Sequence, residues 1–328
     1  MTQASIRRRL LLAGAAVAAV GGTRIAAAQG GKTVKIVVGF PAGQATDSVA
    51  RVLTDKLHVL TGDTYVVDNR PGTGGSIAMS QVARATNDGT TMMLTHMSAV
   101  ATNPHMYKSV GYDSVKDFEP VGLVGDLPFV LAVNASLPIQ SVSELIAYAK
   151  ANPGKLSNAS SGAGTVSHLG MEEFKRRTGI NVLHVPYKGS SPGLADVAAG
   201  NVSMALETAA AVRPMIESGR LRAIAVGSRQ RMPGVYANVP MMAEVGIKDF
   251  YPSTWLMMIY PAGTPRPIVK ATFDALNTVM KQPDTQQKML AIGALPRTST
   301  SPDEAGGYVK TEVGYWSEVV KRSGVHLD

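Results

Sequence analysis

The amino-acid sequence predicts an α/β protein built as two lobes with a ligand cleft at the hinge. Three observations lead there. Apolar β-type runs alternate with helix-period segments along the chain, the pattern of parallel strands joined by helical crossovers. The length of 328 residues exceeds what one hydrophobic core usually organises. Two distant stretches, residues 33–51 and 156–170, share one chemistry: small residues leading into a helix start.

The first element is a leader. Arg7-Arg8-Arg9 precedes the apolar run from Leu10 to Val20, and Ala26-Ala27-Ala28 precedes Gln29, so residues 1–28 read as an export signal peptide. Arg7, Arg8 and Leu10 follow the twin-arginine order, with an ordinary secretory leader as the alternative. No later apolar stretch approaches the roughly 20 residues of a spanning helix, so the mature chain is expected free of the bilayer. Four leader arginines account for half of the formal charge of +8. The rest is scattered, with Lys175-Arg176-Arg177 at a helix end, and aromatics are only 5% of the chain, which argues against a nucleic-acid partner. The absence of cysteine excludes disulfides, thiolate metal sites, a lipid-anchored cysteine and cysteine nucleophiles.

Strand-type runs at 33–39, 65–68, 91–95, 121–124 and 129–134 alternate with helical patterns at 47–60, 75–85 and 142–151. Runs at 182–186, 202–206, 221–226 and 255–260 follow, with helices at 165–177, 191–199, 209–218 and 266–280. Ser141-Val142-Ser143-Glu144 is a capping box, Pro265-Arg266-Pro267 stiffens another helix start, and Ser301-Pro302-Asp303-Glu304 opens the last helix. Gly62, Gly179, Gly200 and Gly219 mark helix ends. A lobe inserted into another fits this order: residues 29–127 plus 253–328 form lobe 1, residues 128–252 form lobe 2, and Pro128 and Pro252 stand at the crossings.

The candidate site rests on two loops. In Phe40-Pro41-Ala42-Gly43-Gln44-Ala45-Thr46-Asp47, small residues let backbone approach a guest closely, and the helix that follows offers unpaired N–H groups and a positive dipole end. Gly43, Gln44, Ala45 and Thr46 are expected to aim N–H groups into the cleft, whereas Asp47 is read first as a helix cap. Ser160-Ser161-Gly162-Ala163-Gly164-Thr165 is the second cradle; its plain alternative is a flexible turn with Thr165 as N-cap. His168, one turn further, either donates to the guest or braces the loop from behind. Ser98 is expected on a cleft-facing loop, and Tyr187 packs against the guest or bonds it, while Lys188 is taken as solvated. Glu207 either receives an amino or hydroxyl group or is a loop acid at a helix start. Gly72-Thr73-Gly74-Gly75 reads as a structural turn and Trp255 as core.

Enzymatic signatures fail on their own chemistry. Gly189-Ser190-Ser191-Pro192-Gly193 fits Gly-x-Ser-x-Gly, but Pro192 has no N–H to complete an oxyanion hole. Gly162-x-Gly164 has Ser167 where a dinucleotide loop needs its third glycine, and His58, His96, His105, His184 and His326 show no metal-ligand spacing. No catalysis, cofactor or metal is expected.

Several blocks together resemble the substrate-binding receptors of tripartite tricarboxylate transporters, the Bug family of periplasmic binding proteins. They are Phe40-Pro41-Ala42-Gly43 with Thr46-Asp47 and Ala50-Arg51; Val66-Val67-Asp68-Asn69-Arg70-Pro71-Gly72-Thr73-Gly74-Gly75; Asn87-Asp88-Gly89-Thr90; Gly162-Ala163-Gly164-Thr165 with His168-Leu169; Val185-Pro186-Tyr187-Lys188-Gly189; Ala199-Gly200-Asn201-Val202; and Ser218-Gly219-Arg220-Leu221-Arg222-Ala223-Ile224-Ala225-Val226. The resemblance implies a type II periplasmic-binding-protein-like fold that closes over a small organic acid, a di-, tri- or aromatic carboxylate. It also implies a periplasmic location and membrane transporter subunits as partners. A receptor that docks with both lobes is simplest as a monomer. A sensory receptor of the same fold is the alternative, and a secreted hydrolase using Ser190 or Ser161 is a weaker one. Gln44 departs from the family, which commonly has a second glycine after Gly43; its amide adds donors and bulk.

Overall fold

The structure, a computed structural model, describes residues 31–324; the predicted leader at 1–28 lies outside them. In chain order the first elements are β1 (Thr33–Val38), α1 (Ala45–Thr61), β2 (Thr64–Asn69), α2 (Ser76–Ala83), β3 (Thr91–His96), α3 (Asn103–Met106) and β4 (Phe118–Asn134). Then come α4 (Val142–Ala151), β5 (Ser157–Ser160), α5 (Val166–Thr178), β6 (Leu183–Pro186), α6 (Ser190–Ala199), β7 (Met204–Thr208), α7 (Ala209–Glu217) and β8 (Leu221–Val226). The chain ends with β9 (Ser253–Pro261), α8 (Arg266–Met280), α9 (Pro283–Ile292), β10 (Leu295–Pro296) and α10 (Pro302–Ser323).

Strand β4 organises the molecule. Its first half lies against β9 and β10, its second half against β7 and β8, all antiparallel. The two strands expected at 121–124 and 129–134 are therefore one strand of 17 residues. Pro128 reads as a break in sequence because it has no N–H to give a ladder. Here it faces Ser253 where β4 leaves one sheet for the other, and the next N–H, that of Phe129, donates to the Pro252 carbonyl at 2.9 Å. Gly227 locks the same crossing. Its N–H donates to the Phe129 carbonyl at 2.7 Å, and a Cβ on it would lie 2.2 Å from the Pro252 oxygen.

The direction of each strand follows from these pairings. β1, β2 and β3 are mutually parallel neighbours and run with β4, because β3 is antiparallel to β9 and β9 to β4. β5, β6 and β7 run against β4. Since β4 passes from the first sheet into the second, the carboxyl ends of β1 and β3 point at the second sheet and those of β5, β6 and β7 point back. The ends of β3 and β7 map through their partners to Gly125 and Phe129 of β4. At about 3.3 Å per residue, a gap of ~13 Å separates them.

Both sheets are covered on two faces, so alternate residues enter different cores. In the first lobe Ile36, Leu94 and Met258 meet Leu53 of α1 and Phe273 of α8, while Val37, Met93 and Met257 meet Met79 of α2 and Val309 of α10. In the second, Leu131 and Leu206 face α4 and α5, whereas Val130, Ala132 and Ala205 face α6 and α7. The 22-residue helix α10 then links the halves: Val320 packs with Leu169 of α5 and with Met106 of α3. Helix α9 has no counterpart among the expected helices, and its weak buried face of Thr285 and Met289 explains why.

Candidate functional site

The first cradle is the turn between β1 and α1. Asp47, the third residue of α1 and 1% exposed, reaches back so that its Oδ2 accepts the Gly43 N–H at 2.8 Å. Arg51 Nε donates to the same oxygen at 2.9 Å, and Asn69 Nδ2 donates to Oδ1 at 3.0 Å and to the Phe40 carbonyl at 2.9 Å. This is the acidic half of a capping box acting on the loop rather than on the helix. Burial raises the Asp47 pKa, but the bonds from Arg51, Gly43 and Asn69 outweigh it and hold the carboxyl below its usual range. Asp47 is thus a fixed anion that pins the loop.

That pinning redistributes the expected donors. The Gly43 N–H belongs to Asp47, and the Gln44 N–H turns to the Pro41 carbonyl at 3.4 Å. Ala45, Thr46 and Asp47, the first turn of α1, keep backbone N–H groups with no backbone acceptor. Gln44 is the N-cap residue, exposed, and its side chain makes no capping bond. Behind the loop, the Phe40 ring lies 4.3 Å from the ring of His96. His96 Nδ1 accepts the Ser98 N–H at 3.2 Å, and burial pushes its pKa down to about 3, so the ring is neutral. Ser98 opens a buried π-helical turn, Ser98–Thr102. The Gly72–Gly75 turn packs directly beneath, where a Cβ on Gly39 would lie 2.7 Å from the Gly75 Cα.

The second cradle joins β5 to α5. Thr165 is the N-cap, with its hydroxyl accepting the His168 N–H at 3.4 Å and donating to the Gly162 carbonyl at 2.7 Å. His168 Nδ1 accepts the Gly164 N–H at 3.0 Å, which makes it a brace from behind. Its ring stacks on His184 at 3.8 Å and 6°, and His184 Nε2 meets Ser160 Oγ at 2.6 Å. Burial, then the neighbouring His184, pushes the His168 pKa down to about 4; burial likewise lowers that of His184. The Ser161 N–H is held by Ser167 Oγ at 3.1 Å, leaving the N–H groups of Ala163, Val166 and Ser167 without backbone acceptors.

Tyr187 follows β6, and its N–H donates to the Ser160 carbonyl at 3.0 Å. Its hydroxyl donates to Asp196 Oδ2 at 2.5 Å, which pushes the phenol up to about 12 and commits its proton. The ring lies so close to α6 that a Cβ on Gly193 would come within 3.0 Å of it. Glu207, near the end of β7, is 2% exposed and lies under the second cradle. Its Oε2 accepts from Ser190 Oγ at 2.9 Å, and burial raises its pKa against the opposing hydroxyls of Ser167, Ser161 and Ser190. Trp255 belongs to the core: it is 2% exposed, and its indole N–H donates to Glu312 of α10 at 2.8 Å.

Asn69, Ser167, His184 and Ser190 support these loops and were absent from the sequence-derived site. Asn69, Ser167 and Ser190 are short polar residues at a strand end or helix start, His184 lies on β6, and only the tertiary fold gives each its partner. Two surface hollows, of about 370 Å³ beside Tyr65 and Tyr260 and about 520 Å³ along Ser76 and Arg84, include no residue of either cradle. Among the described residues no cluster of metal-ligating side chains occurs, and no helix is long and apolar enough to cross a membrane.

Two α/β lobes joined through the shared strand β4, with helix N-termini turned toward their junction, define the solute-binding-protein fold. The chain belongs to the tripartite tricarboxylate transporter family of receptors, whose pattern matches residues 49–325. BugT of Bordetella pertussis is 36% identical over 297 residues, covering 90% of each chain. An R. palustris protein solved with adipate superposes with a TM-score of 0.82 at 35% identity, covering 90% of this chain and 98% of its own. MatC from Rhodopseudomonas palustris, solved with bound malate, gives 0.77 at 28% identity, covering 88% and 99%.

Proposed function

We propose that this receptor captures a small organic acid, a di-, tri- or aromatic carboxylate, and presents it to membrane transporter subunits without chemical change. The observation that carries this reading is the pair of helix N-termini, α1 and α5, whose unbonded N–H groups lie at strand ends aimed at one another across the middle of β4. Such amides and dipoles favour an anion, and they are preorganised by Asp47 on one side and His168 on the other. The adipate and malate of the two related structures support the same ligand class.

Residues 29–127 with 253–328 act as one jaw and 128–252 as the other, with Thr46, Gln44, Ser161 and Thr165 at the ligand. Residues 1–28 direct export to the periplasm, and the mature receptor works as a monomer. Calorimetry of ligand-stripped protein against di-, tri- and aromatic carboxylates tests the reading. Binding of at least one acid is expected, and silence across the panel from folded protein would sink it.

A further inference from the structure

Among the described residues, Glu207 is a buried carboxyl group with no counter-ion. Its register partner is Val130, so its side chain lies on the α6 and α7 face of the second sheet. Oε2 accepts from Ser190 Oγ at 2.9 Å and meets the Thr208 N–H at 3.4 Å, whereas the buried Oε1 has no hydrogen-bond partner. The hydroxyls of Ser167 and Ser161 also act on this carboxyl, without bonding geometry to Oε1. Serines from the second cradle, from α5 and from α6 therefore converge on one buried acid directly beneath the proposed ligand loop.

The charged and titratable groups on the packed elements have other partners, and Lys188, just ahead of α6, is exposed. On α5, His168 holds the Gly164 N–H, Glu172 pairs with Lys175, and Glu173 with Arg176 and Arg177. On β6, His184 holds Ser160; on α6, Asp196 holds Tyr187; on α7, Arg213 pairs with Glu217; at the crossing of β4, Asp126 pairs with Arg297. None of them exerts a charge effect on Glu207.

The protonation state of Glu207 then decides what the serines present to the cleft. Ionised, it draws their hydroxyl hydrogens inward, leaving lone pairs and a full negative charge in a low-dielectric site facing an anionic guest. Neutral, and with the small rotation that brings Oε1–H onto a serine oxygen, it donates there, and that serine's own hydrogen turns outward as a donor. Burial without a cation raises the affinity of this carboxyl for a proton, and an anionic guest beside it raises that affinity further.

We propose that Glu207 is a proton-binding site coupled to the ligand: capture of a carboxylate by the 160–165 loop carries one proton from solution onto Glu207 Oε1. Only that O–H bond forms, and buffer supplies the proton. The proposal rests on the carboxylate-receptor reading above and adds the charge state in which the receptor binds.

The test is titration calorimetry of the ligand-stripped protein with succinate, malate, adipate and benzoate, at about pH 6 and about pH 8, with phosphate and Tris compared at the higher pH. The His168 pKa is pushed down to about 4, so that ring stays neutral across this window, and burial lowers the His184 pKa in the same direction. The expected result is binding at the lower pH that weakens up to tenfold per pH unit above the Glu207 pKa, with an enthalpy at the higher pH that differs between buffers. E207Q, a permanently neutral mimic, is expected to bind equally at both pH values and as tightly as the wild type at the lower one. Binding with equal Kd at both pH values and buffer-independent enthalpy overturns the coupling and leaves the receptor reading intact. A pH profile of E207Q parallel to the wild type overturns it as well, and absence of binding at both pH values overturns both readings. If E207Q does not fold, the buffer comparison on the wild type decides alone.

Discussion

Replacing His168 by Asn separates the brace from its titration. The Asn side-chain oxygen can still accept the Gly164 N–H that His168 Nδ1 accepts at 3.0 Å, but the variant has no proton to gain. In the wild type the His168 pKa is pushed from 6.5 down to about 4. Between those values the unfolded chain binds more protons than the native state, so the brace contributes fully above about pH 6.5 and its stability is lost as pH falls toward 4. From pH 7 to pH 5, linkage gives a loss of about 2 kcal/mol from this residue. His96, pushed down to about 3, adds a loss of the same sign that both proteins share. Urea unfolding at the two pH values, followed by the fluorescence of Trp255 and Trp316, measures the difference directly. The wild type should lose about 2 kcal/mol more than H168N on acidification. Equal losses in the two proteins would refute the assignment of His168 as a neutral, buried acceptor.

The first cradle yields two opposed expectations. Asp47→Ala leaves the Gly43 N–H and the Asn69 amide without their acceptor, at about 2–3 kcal/mol of stability and at least about tenfold in ligand affinity, read by denaturation and calorimetry. Gln44→Gly removes an exposed side chain that makes no capping bond, so it should change stability by less than about 0.5 kcal/mol while shifting the order of preferred acids; an unchanged binding profile would remove Gln44 from the site.

Much of this architecture was legible because it is local. β1, α1, α4 and α8 follow from hydrophobic period and caps; of the capping box expected at Ser141, the cap is present, with Ser141 Oγ accepting the Glu144 N–H at 3.2 Å, while the Glu144 carboxylate accepts the Gln140 N–H at 2.6 Å. What escaped was non-local. Nothing within a window around Pro128 shows that its missing N–H costs no ladder bond, because Ser253 and Gly227 arrive from 125 and 99 residues away. His168 is an instructive middle case: the residue four positions back, Gly164, holds the answer, yet spacing alone cannot tell an acceptor facing a backbone N–H from a donor facing a guest. The serines around Glu207 come from three separate segments, and no periodicity connects them.

The single strand β4 also decides how the receptor can move. Two lobes joined by slack linkers would sample many orientations, and closing them would cost entropy each time. Here the same backbone is hydrogen-bonded into both sheets, with register shifts between Pro120 and Gly122, Leu123 and Gly125, and Leu131 and Ala132 on either side of the crossing. A strand paired in this way yields by twisting at its irregular positions rather than by swinging on a slack linker. The crossing itself leaves no slack, because Pro128 and Phe129 are paired with Ser253 and Thr208.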